Sequence, residues 1–188
     1  MRVFLAVSCG ERFAAEVTTA LDDWRAGPAG RIPVRWTLPG TWHLTLQFLG
    51  DWPEDRLAGL KTALEAVRGQ SAFSLTPGRI GGFPDLKSPR VLFLHMADDG
   101  QAARLAGRVR SIVGDTWREG PQDTRVFRGH VTLARIRSRL SRSDINLLQE
   151  LKLEGLPPVG VEGFSLMASQ LPPQGPRYTE LAFYGLRK

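Results

Sequence analysis

Trp42-His43-Leu44-Thr45-Leu46-Gln47-Phe48-Leu49 and His130-Val131-Thr132-Leu133-Ala134-Arg135-Ile136 contain the same tetrapeptide pattern, His-x-Thr-Leu. The chain has three histidines, and two of them stand in this pattern. Short apolar runs of this kind read as β-strands. Residues i and i+2 of a strand share a face, so each copy sets an imidazole beside a hydroxyl, with apolar residues on the other face. In a chain of this composition the matched pair arises by chance in only about a few sequences in ten thousand, so the duplication is read as chemistry. Strict alternation puts Phe48 on the face of Leu44 and Leu46, which favours a core position over stacking on a base. The same rule puts Arg135 on the face of Val131 and Leu133, from which it reaches the side of His130 only if the strand bulges or ends near Ala134. His95, between Leu94 and Met96, reads as an ordinary strand histidine.

Working outward, the two motifs sit in similar halves. Residues 2–8 alternate as a strand, and residues 11–25 place Phe13, Val17, Leu21 and Trp24 on one helical face. Gly27-Pro28-Ala29-Gly30 breaks that helix. Val34 to Thr37 is a short strand ahead of the first motif strand. Gly50-Asp51-Trp52-Pro53 ends that strand and starts a helix with Asp51 as its cap, and Leu57, Leu60, Leu64 and Val67 form the buried stripe. A strand passing into a Gly-rich loop over 72–83 closes the first half. The second half repeats the order: strand 90–96, helix 100–113 with Leu105, Val109 and Ile112 inward, an exposed loop at 114–125, the second motif strand and a helix over 143–151. Strands 159–169 and 177–186 follow, separated by the turn Pro172-Pro173-Gln174-Gly175-Pro176. No stretch reads as a linker between independent domains. The expectation is an α+β chain forming one bilobal domain over residues 1–188, with a pseudo-two-fold that brings the motif strands together across a groove.

Composition narrows the field. A hydrophobic share of 42% and a charged share of 23% are ordinary for a soluble globular protein. No apolar run is long enough to span a bilayer. The start Met1-Arg2-Val3-Phe4-Leu5-Ala6-Val7-Ser8-Cys9 has too short an apolar stretch for an export signal and reads as a first strand. A single cysteine excludes an intrachain disulfide and fits a reducing compartment, so a cytoplasmic location is expected. The net charge of +6 suggests a polyanionic partner. That hint is mild, because the bias of 21 Arg over 4 Lys also follows from genomic base composition.

An imidazole titrates near pH 6.5, so one neutral and one protonated histidine are accessible together near neutrality. Displacement at phosphorus needs the attacking and leaving oxygens roughly in line, which suits histidines from two facing strands. Thr hydroxyls donate to the non-bridging oxygens, where charge accumulates. The paired motifs, with Val3-Phe4-Leu5-Ala6-Val7, Gly82-Phe83-Pro84, Arg90-Val91-Leu92-Phe93-Leu94, Phe127-Arg128-Gly129 and Gly175-Pro176-Arg177-Tyr178-Thr179, resemble the 2H phosphoesterase superfamily. Within it the chain resembles the RNA 2′,3′-cyclic phosphodiesterases, also known as the 2′-5′ RNA ligase-like family. The resemblance implies a bilobal fold of two antiparallel sheets lining a central cleft with helices outside, and no metal or other cofactor. It implies hydrolysis of an RNA terminal 2′,3′-cyclic phosphate to a 2′-phosphomonoester, with His43 as proton donor and His130 as proton acceptor. By the same resemblance Thr45 and Thr132 hold the phosphate, and Arg135 matches a phosphate-binding position. Many relatives carry proline where this chain has Gly129. Phe48 and Tyr178 are candidates for contact with RNA, the latter following a Gly-Pro turn at the cleft edge.

The expected partner is therefore RNA with a 2′,3′-cyclic phosphate end, tRNA fragments and nucleotides included, acted on by a monomer away from membranes. Two alternatives stay open: a cyclic phosphodiesterase for small nucleotides, and a protein that binds RNA ends or joins them by 2′-5′ linkage. A pure binder has no need of two titratable groups. A metal hydrolase lacks the carboxylate or thiolate set that would complete a site around two histidines.

Overall fold

The structure is a computed structural model, and it describes residues 1–118, 120, 125–170, 172 and 176–187, with Arg68 described in its backbone alone. In chain order the elements are β1 (Arg2–Ser8), α1 (Gly10–Arg25), β2 (Val34–Trp36), β3 (His43–Asp51), α2 (Leu57–Leu64), β4 (Phe73–Phe83) and β5 (Val91–Ala97). They continue with α3 (Gln101–Thr116), β6 (His130–Ile136), α4 (Arg142–Glu150), β7 (Val159–Val161), β8 (Gly163–Gln170) and β9 (Arg177–Gly185). Both motifs begin strands, at the first residue of β3 and of β6.

The strands run in the order β7-β4-β5-β6-β3-β1-β8-β9, with β2 on the free edge of β6. All of the strand pairs are antiparallel. The two sheets expected to line the cleft are the two arms of this path, joined by the β3–β6 pair. That pair is a single register contact, Leu44 with Val131. Both residues are second in their strands, so β3 and β6 meet where they start and run apart in opposite directions. β1 then flanks β3 as β5 flanks β6, which is the pseudo-two-fold. Only Glu162 separates β7 from β8, yet they pair with β4 and β1 in opposite arms. The sheet must curl for one residue to join them. Backbone hydrogen bonds between the segment before β4 and the end of the chain tie the same edges, from Ala72 N–H to the Arg187 carbonyl (2.7 Å) and from Arg187 N–H to the Gln70 carbonyl (2.8 Å).

One face of the sheet carries the helices. Phe13, Val17 and Leu21 of α1, Leu60 and Leu64 of α2, and Leu105, Val109 and Val113 of α3 pack against Leu5, Leu44, Leu94, Val131 and Leu133. Each such side chain contributes about 1.5–3 kcal/mol on burial. A smaller cluster of Ala29, Ile32, Leu92, Ala134 and Leu148 seats α4 under the far end of β6. That helix starts on a capping box, with Ser141 and Asp144 bonded reciprocally.

Three expectations are corrected. Asp51 does not cap the second helix: Pro53 is extended, a 3-10 turn over Glu54–Arg56 intervenes, and the cap position is Arg56 with no side-chain hydrogen bond. The third helix reaches Thr116 and shortens the loop expected at 114–125, of which 119 and 121–124 lie outside the described residues. The strand expected at 159–169 is two strands split at Glu162. In the turn at 172–176, residues 173–175 lie outside the description. Among the described residues no helix is long and apolar enough to cross a membrane.

Candidate active site

The open face of the sheet is built by two matching irregularities. In the β1–β3 pair, Ala6 faces Thr45 and Leu5 faces Gln47, so Leu46 is an extra residue. In the β5–β6 pair, Phe93 faces Thr132 and Leu92 faces Ala134, so Leu133 is an extra residue. A bulge puts two successive residues on one side and resets the alternation beyond it. Leu46 and Gln47 are accordingly both buried, as are Leu133 and Ala134. The next residues, Phe48 and Arg135, emerge on the open face with the motif histidines and threonines. Phe48 is 52% exposed, which corrects its core reading. It lies 6.2 Å from the Phe4 ring, with the Arg125 guanidinium 5.5 Å above its own ring. Phe48 and Arg135 stand five residues after their histidines and are related by the pseudo-two-fold.

The two imidazoles are held alike. His43 Nδ1 lies 2.6 Å from the Thr41 carbonyl oxygen, and His130 Nδ1 lies 2.6 Å from the Arg128 carbonyl oxygen. A carbonyl only accepts, so each Nδ1 carries the hydrogen. Each Nε2 is left as a lone pair when the ring is neutral and as an N–H donor when it is protonated. Aromatic rings fix the ring planes. His43 sits between Phe4 at 5.0 Å and Tyr178 at 5.3 Å, the latter edge-on. His130 sits edge-on to Phe83 at 5.1 Å and Phe93 at 5.2 Å. Phe93 lies over Gly81 so closely that a Cβ there would fall 2.3 Å from the ring, so glycine permits this cradle.

Burial pushes both imidazoles below their ordinary pKa of 6.5, opposed in each case by the carbonyl hydrogen bond. Charge repulsion lowers them further, His43 through His130, and His130 through His95 and Arg125. His95 is thus more than an isolated strand histidine: it is the register partner of His130, and its ring lies 6.1 Å from Phe93.

Thr45 and Thr132 are half-buried beside the histidines, and neither hydroxyl bonds to another group among the described residues. Arg135 acts electrostatically on Tyr178, whose hydroxyl is raised mainly by burial. Thr37, which the sequence reading passes over, ties the motifs together. Its hydroxyl donates to the carbonyls of Thr132 (2.9 Å) and Leu133 (2.8 Å) and accepts from the indole N–H of Trp42 (2.6 Å), the residue before His43. Gly129, before His130, approaches β5 so closely that a Cβ would fall 2.5 Å from the Met96 carbonyl oxygen. Here glycine is a packing requirement.

The sole cysteine, Cys9, is buried and its thiol is pushed up to about 12, which keeps it out of thiolate chemistry. Among the described residues no three His, Cys, Asp or Glu side chains gather as a ligand set. The arrangement offers two oriented imidazoles, two unengaged hydroxyls and a guanidinium on one open face of the sheet.

Known proteins share this chain's sequence and shape. An RNA 2′,3′-cyclic phosphodiesterase of Archaeoglobus fulgidus is 29% identical over 184 residues, covering 98% of this chain and 99% of that protein. The crystal structure of TT0787 of Thermus thermophilus superposes with a TM-score of 0.79 at 31% identity, covering 100% of this chain and 98% of the other. E. coli LigT complexed with 3′-AMP gives a TM-score of 0.73 at 26% identity, with the same coverage of 100% and 98%. The LigT-like phosphoesterase profile matches residues 13–93 and 96–178, and the chain belongs to that family.

Proposed function

We propose that this protein is a metal-independent hydrolase that opens the terminal 2′,3′-cyclic phosphate of RNA to a 2′-phosphomonoester. The observation that carries the reading is the pair of Nδ1-anchored imidazoles at the point where β3 and β6 meet, close enough for the charge of His130 to act on His43. Neutral His130 takes a proton from water as the water oxygen bonds to phosphorus. Protonated His43 gives its Nε2 proton to the 3′-oxygen as the P–O3′ bond breaks. The turnover leaves His130 protonated and His43 neutral, and solvent exchange restores the pair. Thr45 and Thr132 donate to the non-bridging oxygens, and Arg135 adds a positive charge, where negative charge grows in the transition state. Phe48 offers an exposed ring for the terminal base, with Phe4 between it and Tyr178 at the His43 end. The name of the Archaeoglobus relative and the 3′-AMP complex of E. coli LigT support a nucleotide end as substrate. The protein acts as a monomer in the cytoplasm in this reading.

The test is a short RNA ending in a 2′,3′-cyclic phosphate, incubated with protein and chelator, with the product identified. A 2′-phosphate end is expected. A 3′-phosphate end would contradict the leaving-group assignment, and no turnover would contradict hydrolysis.

A further inference from the structure

We propose that Arg35, directly beside Arg135 on the open face, binds the phosphodiester on the 5′ side of the terminal nucleotide while Arg135 serves the terminal phosphate, an inference that rests on the RNA-end reading above. β2 lies along the edge of β6 that β3 leaves free, with Val34 facing Ile136, Arg35 facing Arg135 and Trp36 facing Ala134. Directly opposed residues of an antiparallel pair share a face. Trp36 and Ala134 take the helix face, where Trp36 packs edge-on against Trp24. Arg35 and Arg135 therefore both project onto the open face, and both are exposed.

Like charges directly opposed across two strands repel, and among the described residues no carboxylate forms an ion pair with either. Arg25 shows what a structural arginine looks like in this region: it pairs with Asp22 and lies 4.3 Å over the Trp36 ring. Arg35 has neither device. Each unneutralised fork can take one phosphate in a bidentate fashion, so two held side by side match two successive phosphates.

The course of the strands identifies which phosphate. From their meeting point at the histidines, β3 runs to Phe48 and β6 runs the opposite way to Arg135. A ribose whose 2′,3′-phosphate sits at that point sends its base from C1′ and its chain from C4′, the two carbons that flank the ring oxygen, and so in diverging directions. With the base at Phe48, the 5′-phosphate leaves toward Arg35. Positive charge continues beyond the end of β6, where Lys87, Arg90, Arg137 and Arg139 help line a cavity of about 460 Å³.

The test compares Arg35→Gln with wild type on a short RNA ending in a 2′,3′-cyclic phosphate and on a nucleoside 2′,3′-cyclic monophosphate, at several salt concentrations and with Tm as a fold control. The expected result is about a tenfold rise in KM for the RNA, with the loss confined to that substrate and the slope of log KM against log salt reduced by about one. Equal loss on both substrates would overturn the proposal by placing Arg35 on the terminal phosphate. No loss on either would overturn it by leaving Arg35 a solvated side chain. Wild-type protein that turns over the mononucleotide but not the RNA would instead overturn the RNA-end reading, and the role of Arg35 with it.

Discussion

His43→Ala and His130→Ala are each expected to lower kcat by about a thousandfold, within the range of about 10²–10⁴ that one acid–base group supplies. The two losses should not add in the double variant, because removing either partner already breaks the same concerted transfer. Both side chains sit on the open face and are only half-buried, so CD spectra and Tm should stay close to wild type. Asparagine tests the geometry separately. Its amide could keep the hydrogen bond to the Thr41 or Arg128 carbonyl that Nδ1 makes, yet it has no group that titrates near neutrality. His→Asn variants should therefore be as inactive as alanine, and activity retained there would show that positioning outweighs proton transfer.

The second large effect lies in the threonines. Thr45→Val and Thr132→Val preserve β-branching, and with it the strand, while removing one donor each. Loss of one such donor costs about 10²–10³ in kcat when it acts on transition-state charge. We expect about a hundredfold for each variant, with KM little changed and Tm unchanged, since neither hydroxyl holds the fold together through a hydrogen bond among the described residues. Thr→Ser at either site should recover much of the loss. A rise in KM without a fall in kcat would assign these hydroxyls to ground-state binding.

Much of the architecture could be read from periodicity. The stripes Phe13-Val17-Leu21 and Leu60-Leu64-Val67 are buried as their spacing requires, and both motifs open strands whose first and third residues share a face. The failures have physical causes. A bulge shifts every later residue to the other face, and neither Leu46 nor Leu133 carries a glycine or proline signal for one. Periodicity thus puts Phe48 on the wrong face, and places Arg135 beside His130 only on the condition of a break in the alternation. Phe4, Phe83 and Phe93 could not be singled out as the rings around the histidines, because the sequence does not reveal which face meets an imidazole. Thr37 and Arg35 matter through partners far along the chain, Thr132 and Arg135. Such pairings follow from strand order, which local pattern does not specify. The crossing at Glu162 escaped for the same reason.

The most direct test of the two-imidazole account is the pH dependence of kcat/KM for an RNA ending in a 2′,3′-cyclic phosphate, with chelator present. This parameter reports the free protein, where one histidine must be neutral and the other protonated. Burial lowers both from 6.5, so both limbs shift toward acid. The base gains activity as pH rises through the lower value, and the acid loses it as pH passes the higher one. The account predicts a bell with its maximum below the ordinary imidazole value, and loss of a different limb in the residual activity of each alanine variant. A profile flat between pH 5 and 8, or one whose limbs survive both substitutions, would contradict it.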